Sequence, residues 1–196
     1  MTPGTPRRLR DPRELRAIAH PLRMSILEQL TMHGPLTATE LADRLGESPA
    51  NCSWHLRKLA EHKFVEEAES SGGRRRPWQM SSIGMGWNND DEDDAETRMA
   101  GHALTRMWLE RWVDRFLSAE EAVADKPEWR RAATITQSAT WLTADELAEM
   151  NAEMSAVMMR HLDRLEDPSK RPEGAQLCEL VGWGAPVDPS FAGEPR

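Results

Sequence analysis

The chain has 196 residues, 39% of them hydrophobic and 30% charged, enough to bury a core as one large or two small domains. Its two cysteines, Cys52 and Cys178, exclude a disulfide framework. No apolar run approaches the roughly 18 residues that a membrane span requires, and the N-terminus has no signal-peptide core, so a cytoplasmic protein is expected. The net charge of −8 argues against a polyanionic partner until it is divided: residues 1–87 carry 13 Lys or Arg against 10 Asp or Glu, and residues 88–196 carry 12 against 23. Any nucleic-acid footprint therefore belongs to the first half.

In chain order, residues 1–11 read as a flexible basic arm. Arg7, Arg8 and Arg10 are in it, either to reach a phosphate or minor groove or to solubilise a tail. Asp11 caps a helix that starts at Pro12 with the stripe Leu15, Ile18 and Ala19, and His20-Pro21 interrupts it. Leu22 to His33 forms the next helix, with Leu22, Ile26, Leu27 and Leu30 inward and Gly34-Pro35 as its stop. Arg23 has two readings, a phosphate contact or a surface ion pair.

The stretch Thr37 to Val65 follows. Thr39 to Leu45 is a short helix burying Leu41, Ala42 and Leu45, and Gly46 supplies the residue that tolerates positive φ at its end. Ser48 then stands as an N-cap before Pro49, a start signal for a second helix over 48–62. Cys52, Leu56, Leu59 and Ala60 make its inward stripe, and Asn51, Ser53, Trp54, Arg57 and Lys58 its outward, cationic face. Two short helices, a Gly turn and a polar cationic face match helix-turn-helix DNA recognition; an ordinary helical hairpin with a solvated face is the alternative. Phe64 to Glu69 and Pro77 to Ile83 then read as two strands joined at Gly72 and Gly73, with Arg74, Arg75 and Arg76 at the tip. A basic hairpin directly after such a helix has the form of a wing set on phosphates or the minor groove.

The motifs AIAHPLRMSILEQL, TATELADRLGESPANCSWHLRKLAEHKFVEEA and RRRPWQM together resemble the arsenic-repressor-like (ArsR) family of winged helix-turn-helix regulators. The resemblance runs over about residues 12–87 and points to the larger members with an added helical C-terminal region. It implies a homodimer that binds a palindromic operator in double-stranded DNA and represses transcription. The reading of the helix face and the hairpin tip makes Ser48, Asn51, Ser53, Trp54, Arg57 and Lys58 of the helix and Arg74, Arg75 and Arg76 of the wing the candidate DNA contacts. Two positions depart from the pattern. Lys63 stands where the helix normally closes on Gly, and Trp54 where a smaller or polar residue is usual.

Beyond the wing, 88–96 is an acidic linker leading into a helix over Glu96 to Ala124. Its apolar stripe includes Met107, Trp108, Trp112 and Phe116. Trp and Met are enriched at interfaces, so these residues are assigned to dimerisation, with burial in the chain's own core as the alternative. Trp129 to Trp141 is a β-prone run, and Ala175 to Val181 a short strand expected to pair near Thr134. Thr143 opens a capping box with Glu146 for a helix over Ala144 to Glu166. The tail beyond Gly182 is expected to be weakly ordered.

The expected architecture is mainly α: an arm (1–11), a winged helix-turn-helix domain (12–87), a linker and dimerisation helix (88–125), and a C-terminal α+β region (126–196). No nucleophile–base pair, phosphate loop or zinc spacing marks an enzyme or a cofactor. Cys52 with His55 is the only metal constellation, and Cys52 sits on the inward stripe, which favours a structural thiol. Met99, Met107, Trp108, Trp112, Trp141, Met150, Met154, Met158 and Met159 leave two readings, a pocket for an apolar organic effector or a Met-rich core and seam. The competing function is a winged-helix protein-interaction module with an acidic docking surface and no operator of its own.

Overall fold

The computed structural model describes residues 7–68, 76–82, 84–87 and 94–188. The chain is mainly helical with an N-terminal winged helix-turn-helix domain. Its elements run β1 (Arg7–Arg8), α1 (Pro12–Ile18), α2 (Pro21–His33), α3 (Ala38–Leu45), α4 (Pro49–Glu61), β2 (Val65–Glu67), β3 (Trp78–Met80) and β4 (Met85–Gly86). The second half holds α5 (Ala95–Ala122), α6 (Pro127–Ala132), α7 (Ala144–Met158) and α8 (Asp163–Glu166).

Each early helix starts on a side-chain cap. Asp11 accepts from the Arg13 amide at 2.7 Å, and His20 Nδ1 accepts from the Leu22 amide at 3.2 Å. Thr37 and Glu40 form a reciprocal capping box on α3, which the sequence reading missed. Such caps satisfy backbone donors that no helix can satisfy internally. Leu15, Ile18, Met24, Ile26, Leu27, Leu30, Leu41, Leu56, Leu59 and Phe64 meet in one core at 2% exposure or less. The wing is antiparallel: Val65 pairs with Met80 and Glu67 with Trp78. Leu36 adds a bridge to Trp78, with amide–carbonyl bonds of 2.9 and 2.8 Å, so the wing's return strand is tied to the loop ahead of α3.

The expected flexible arm is corrected at its C-terminal end. Arg7 and Arg8 form β1, parallel to β4, and Leu9 is 2% exposed in the core. Arg7 is the reason this segment is held. Its guanidinium donates to the Lys63 carbonyl at 2.7 Å and the His62 carbonyl at 2.9 Å, pairs with Glu14, and lies 4.7 Å from the Phe64 ring centre.

In the second half, α5 buries Thr97, Ala100, Gly101, Leu104 and Trp108, a stripe confined to its first half that packs on α1. Arg16 of α1 pairs with Glu96 of α5. The expected strands at 129–141 and 175–181 are corrected: 127–132 is helical, and no strand forms in either stretch. Every residue from Ala133 to Leu142 is exposed. Strand propensity is a preference for a pleated, half-buried surface, and no such surface is offered there. The helix expected over 144–166 divides after Met158 into α7 and α8. Its half-buried residues Leu147, Met154 and Met158 face the strap at Gly182–Gly184, which Asn151 ties by bonds of 2.8 and 3.1 Å to Gly184.

Lys63 has φ 58°, the left-handed region that costs a side-chain-bearing residue roughly 1–2 kcal/mol. Lys63→Gly should raise stability by about 0.5–1 kcal/mol after the greater entropy of an unfolded Gly is counted. Arg7→Ala should lower it by about 1–3 kcal/mol through two uncapped carbonyls. Urea unfolding checks both: opposite displacements of the midpoint with an unchanged slope are expected.

Candidate nucleic-acid interface

The geometry of this face begins at Gly46, in the left-handed conformation at φ 67°, ψ 31°. The Gly46 turn reverses the chain between α3 and α4 within three residues. Ser48 Oγ then accepts the Asn51 amide at 3.1 Å, with Pro49 at the first helical position. The inner face of α4 is fixed by Cys52, His55, Leu56 and Leu59, none more than 4% exposed. Helical spacing therefore turns Ser53, Trp54, Arg57 and Lys58 away from the core.

Those outward side chains form a local set. Arg57 donates from Nε to the Ser53 carbonyl at 3.1 Å and from Nη2 to Ser53 Oγ at 3.2 Å. Lys58 pairs with Glu61 at 2.9 Å, and its Nζ lies 6.0 Å from the Trp54 ring centre. Trp54 is 50% exposed. Ser48 and Asn51 are committed within the chain, one as the cap and the other donating to Glu47 at 2.9 Å. Arg76 pairs with Glu67 at 2.7 Å on the wing. Arg74, Arg75 and the turn at Gly72 and Gly73 lie outside the described residues.

Behind this face, His55 meets His20 of α2, their ring centres 4.6 Å apart. Burial holds the His55 imidazole below its ordinary value; His20 and Arg23 act in the same direction, while Glu47 opposes them. Burial also lowers His20, with Arg23 adding to the effect. Burial first, then Glu47, raises the Cys52 thiol. Among the described residues, no group of three or more His, Cys, Asp or Glu is placed to hold a metal ion. Neither the histidine pair nor Arg7 was visible from sequence, since each acts through a partner remote along the chain.

The residues assigned to dimerisation separate by environment. Trp108 is 8% exposed within its own chain's core and stacks on Trp112 at 5.7 Å. Met107 and Trp112 pack against that core half-buried, and Phe116 is also half-buried. The large apolar residues that α5 exposes are Met99 at 72%, Val113 at 55% and Leu117 at 54%. Of the Met- and Trp-rich set with two readings, effector pocket or core and seam, Trp108 is in the core and Trp141 is 91% exposed. Among the described residues, no helix is long and apolar enough to cross a membrane.

A family model described as a helix-turn-helix domain matches residues 18–68, spanning α2, α3, α4 and β2. No curated protein matches the chain significantly. Among solved structures, one described as a possible transcriptional regulator for arsenical resistance is 24% identical, covering 54% of this chain and 94% of its own, with a TM-score of 0.32. The YusO protein from Bacillus subtilis is 16% identical over 60% of this chain and 83% of its own, with a TM-score of 0.33. A transcriptional regulator from Thermotoga maritima is 12% identical over 76% and 87%, with a TM-score of 0.32. Overlaps at that level carry no functional weight; the helix-turn-helix match and the geometry do.

Ser48 is both the cap of α4 and the residue nearest its presented end. Ser48→Ala should lower stability by about 1 kcal/mol, because the Asn51 amide loses its acceptor. Thermal unfolding followed by circular dichroism measures this, and an unchanged midpoint would remove the cap from the account.

Proposed function

We propose that this chain is a DNA-binding transcription regulator of the ArsR type, a homodimer that represses from a palindromic operator. One observation carries the reading: α4, seated by four buried side chains, presents Ser53, Trp54, Arg57 and Lys58 on a face that no part of the described chain covers. An α-helix of this exposure fits the major groove, and the antiparallel wing beside it suits the flanking backbone. Arg57 offers a bidentate guanidinium for a guanine edge. Arg74, Arg75 and Arg76 add sequence-independent attraction by counterion release.

The dimer is placed on the outer face of α5. Val113 and Leu117, four residues apart, share that face, and exposed apolar surface of this kind marks protein contact sites. Two copies related by a twofold axis would read two half-sites, which is what makes the operator palindromic. Trp108 supports this surface from inside rather than forming it. No cofactor enters this function, and the reading assigns no catalysis and no metal.

Selection from random duplexes should recover a palindromic sequence. Arg57→Ala should weaken binding to it by about 1–3 kcal/mol and relax one base position. Replacing Arg74, Arg75 and Arg76 together should instead weaken all duplexes and lower the salt dependence. Val113→Glu with Leu117→Glu should give monomers by sedimentation while leaving the fold intact. Failure of the selection, or Arg57→Ala binding as well as wild type, would overturn the α4 assignment.

A further inference from the structure

Two histidines meet where α2 touches α4. His20 caps α2 through Nδ1, which accepts the Leu22 amide at 3.2 Å, so its ring orientation is set by the helix end. His55 projects from the inner face of α4 at 4% exposure. The rings are 4.6 Å apart and inclined by 42°. His55 Nδ1 and Arg23 Nε are buried with no hydrogen-bond partner. A cavity of about 520 Å³ opens on the pair, lined by Pro21, Leu22, Leu45, Glu47 and Asn51 among others, and gives protons access from solvent.

We propose that His20 and His55 form an acid-sensitive latch that seats α4 against α2 while both rings are neutral and loosens it when they are protonated. Neutral imidazoles pack against each other at this spacing without charge repulsion. Two imidazoliums would repel, and α2 already contributes the Arg23 cation to the same seam. The other facing groups do not cancel that charge. The α3–α4 turn supplies Glu47, whose carboxylate favours protonated His55 but is outweighed there by burial, His20 and Arg23. From α4 come the Cys52 thiol and Asn51, and Trp54 meets His55 edge-on at 4.7 Å. On α2, Ser25 accepts from Arg111 of α5 at 3.0 Å, and that cation is itself paired with Glu28 of α2, so the two bring no net charge to the seam.

The electrostatics agree with the geometry, since both rings are held below the ordinary value of 6.5. The unfolded chain therefore binds more protons than the folded one as the pH falls through that value. Stability from the pair is complete above it and lost progressively below. The latch itself stands on the α2–α4 seam; only its consequence for operator binding rests on the DNA-binding reading.

Histidine side-chain NMR between about pH 5 and pH 8, the range in which imidazoles titrate, follows the two rings, and the amide shifts of residues 49–61 follow α4. Both rings should titrate below the ordinary value, and the α4 amides should move with the same midpoint. A labelled mixed-sequence duplex should bind several-fold more weakly at the acid end. His20→Asn keeps a side-chain cap on α2 and removes the second imidazole. In that variant the His55 midpoint should rise, and both the α4 displacement and the acid loss of binding should shrink. Amides of α4 that stay still through the titration, or a His20→Asn variant with an undiminished displacement, would overturn the latch. A duplex left unbound at every pH while α4 still moves would retain the latch and remove the DNA-binding reading.

Discussion

The N-terminal domain depends on how the chain leaves α4. A helix that ends where a strand must begin needs a sharp change of direction, and here Lys63 makes it at φ 58°. A residue with a Cβ is costly in that conformation, and something outside the turn has to hold it. Arg7 does so, with hydrogen bonds to the carbonyls of His62 and Lys63 and its guanidinium over Phe64. The same side chain pairs with Glu14 of α1, so one cation joins the N-terminal strand, the first helix, the end of α4 and the start of the wing. The orientation of the presented face of α4 relative to the wing follows from that junction.

A second network joins this domain to the long helix. Glu28 of α2 receives Arg111, which also donates to Ser25 at 3.0 Å, and Arg115. Arg115 in turn donates from Nε to Glu179 of the C-terminal strap at 2.9 Å. Exposed ion pairs add little individually, but these register three segments that share little apolar contact. Among the described residues beyond α5, none is buried. No residue of α7 is buried, and its order within one chain rests on its capping box, the strap beside it and intrinsic propensity. A short helix with so little tertiary burial is marginal in water.

The histidine seam is a polar contact behind α4, set beside the apolar stripe of Cys52, Leu56 and Leu59. His55 is placed by helical spacing among Cys52, Leu56 and Leu59, yet its Nδ1 is unpartnered. A buried polar atom without a partner carries a desolvation cost, and the neutral form of the ring keeps that cost smallest.

Sequence by itself determined the local grammar. Caps at Asp11, Ser48 and Thr143, the Gly46 turn, the Cys52–Leu56–Leu59 stripe and the existence of a wing all follow from rules acting within a few residues, and the structure has each of them. The departure at Lys63 was legible only against the pattern of the family the sequence resembles, in which the helix closes on Gly. The tertiary structure decided what depends on neighbours remote in sequence. Arg7 and Arg8 read as an arm because the carbonyls of His62 and Lys63 and the strand β4 that hold them are more than fifty residues away along the chain. Trp108 and the exposed Val113 and Leu117 lie on one amphipathic helix, and periodicity cannot say which side meets α1 and which meets solvent. The β-prone stretch at 129–141 has no strand, because strand propensity needs a pleated, half-buried surface to act on and Ala133 to Leu142 are all exposed.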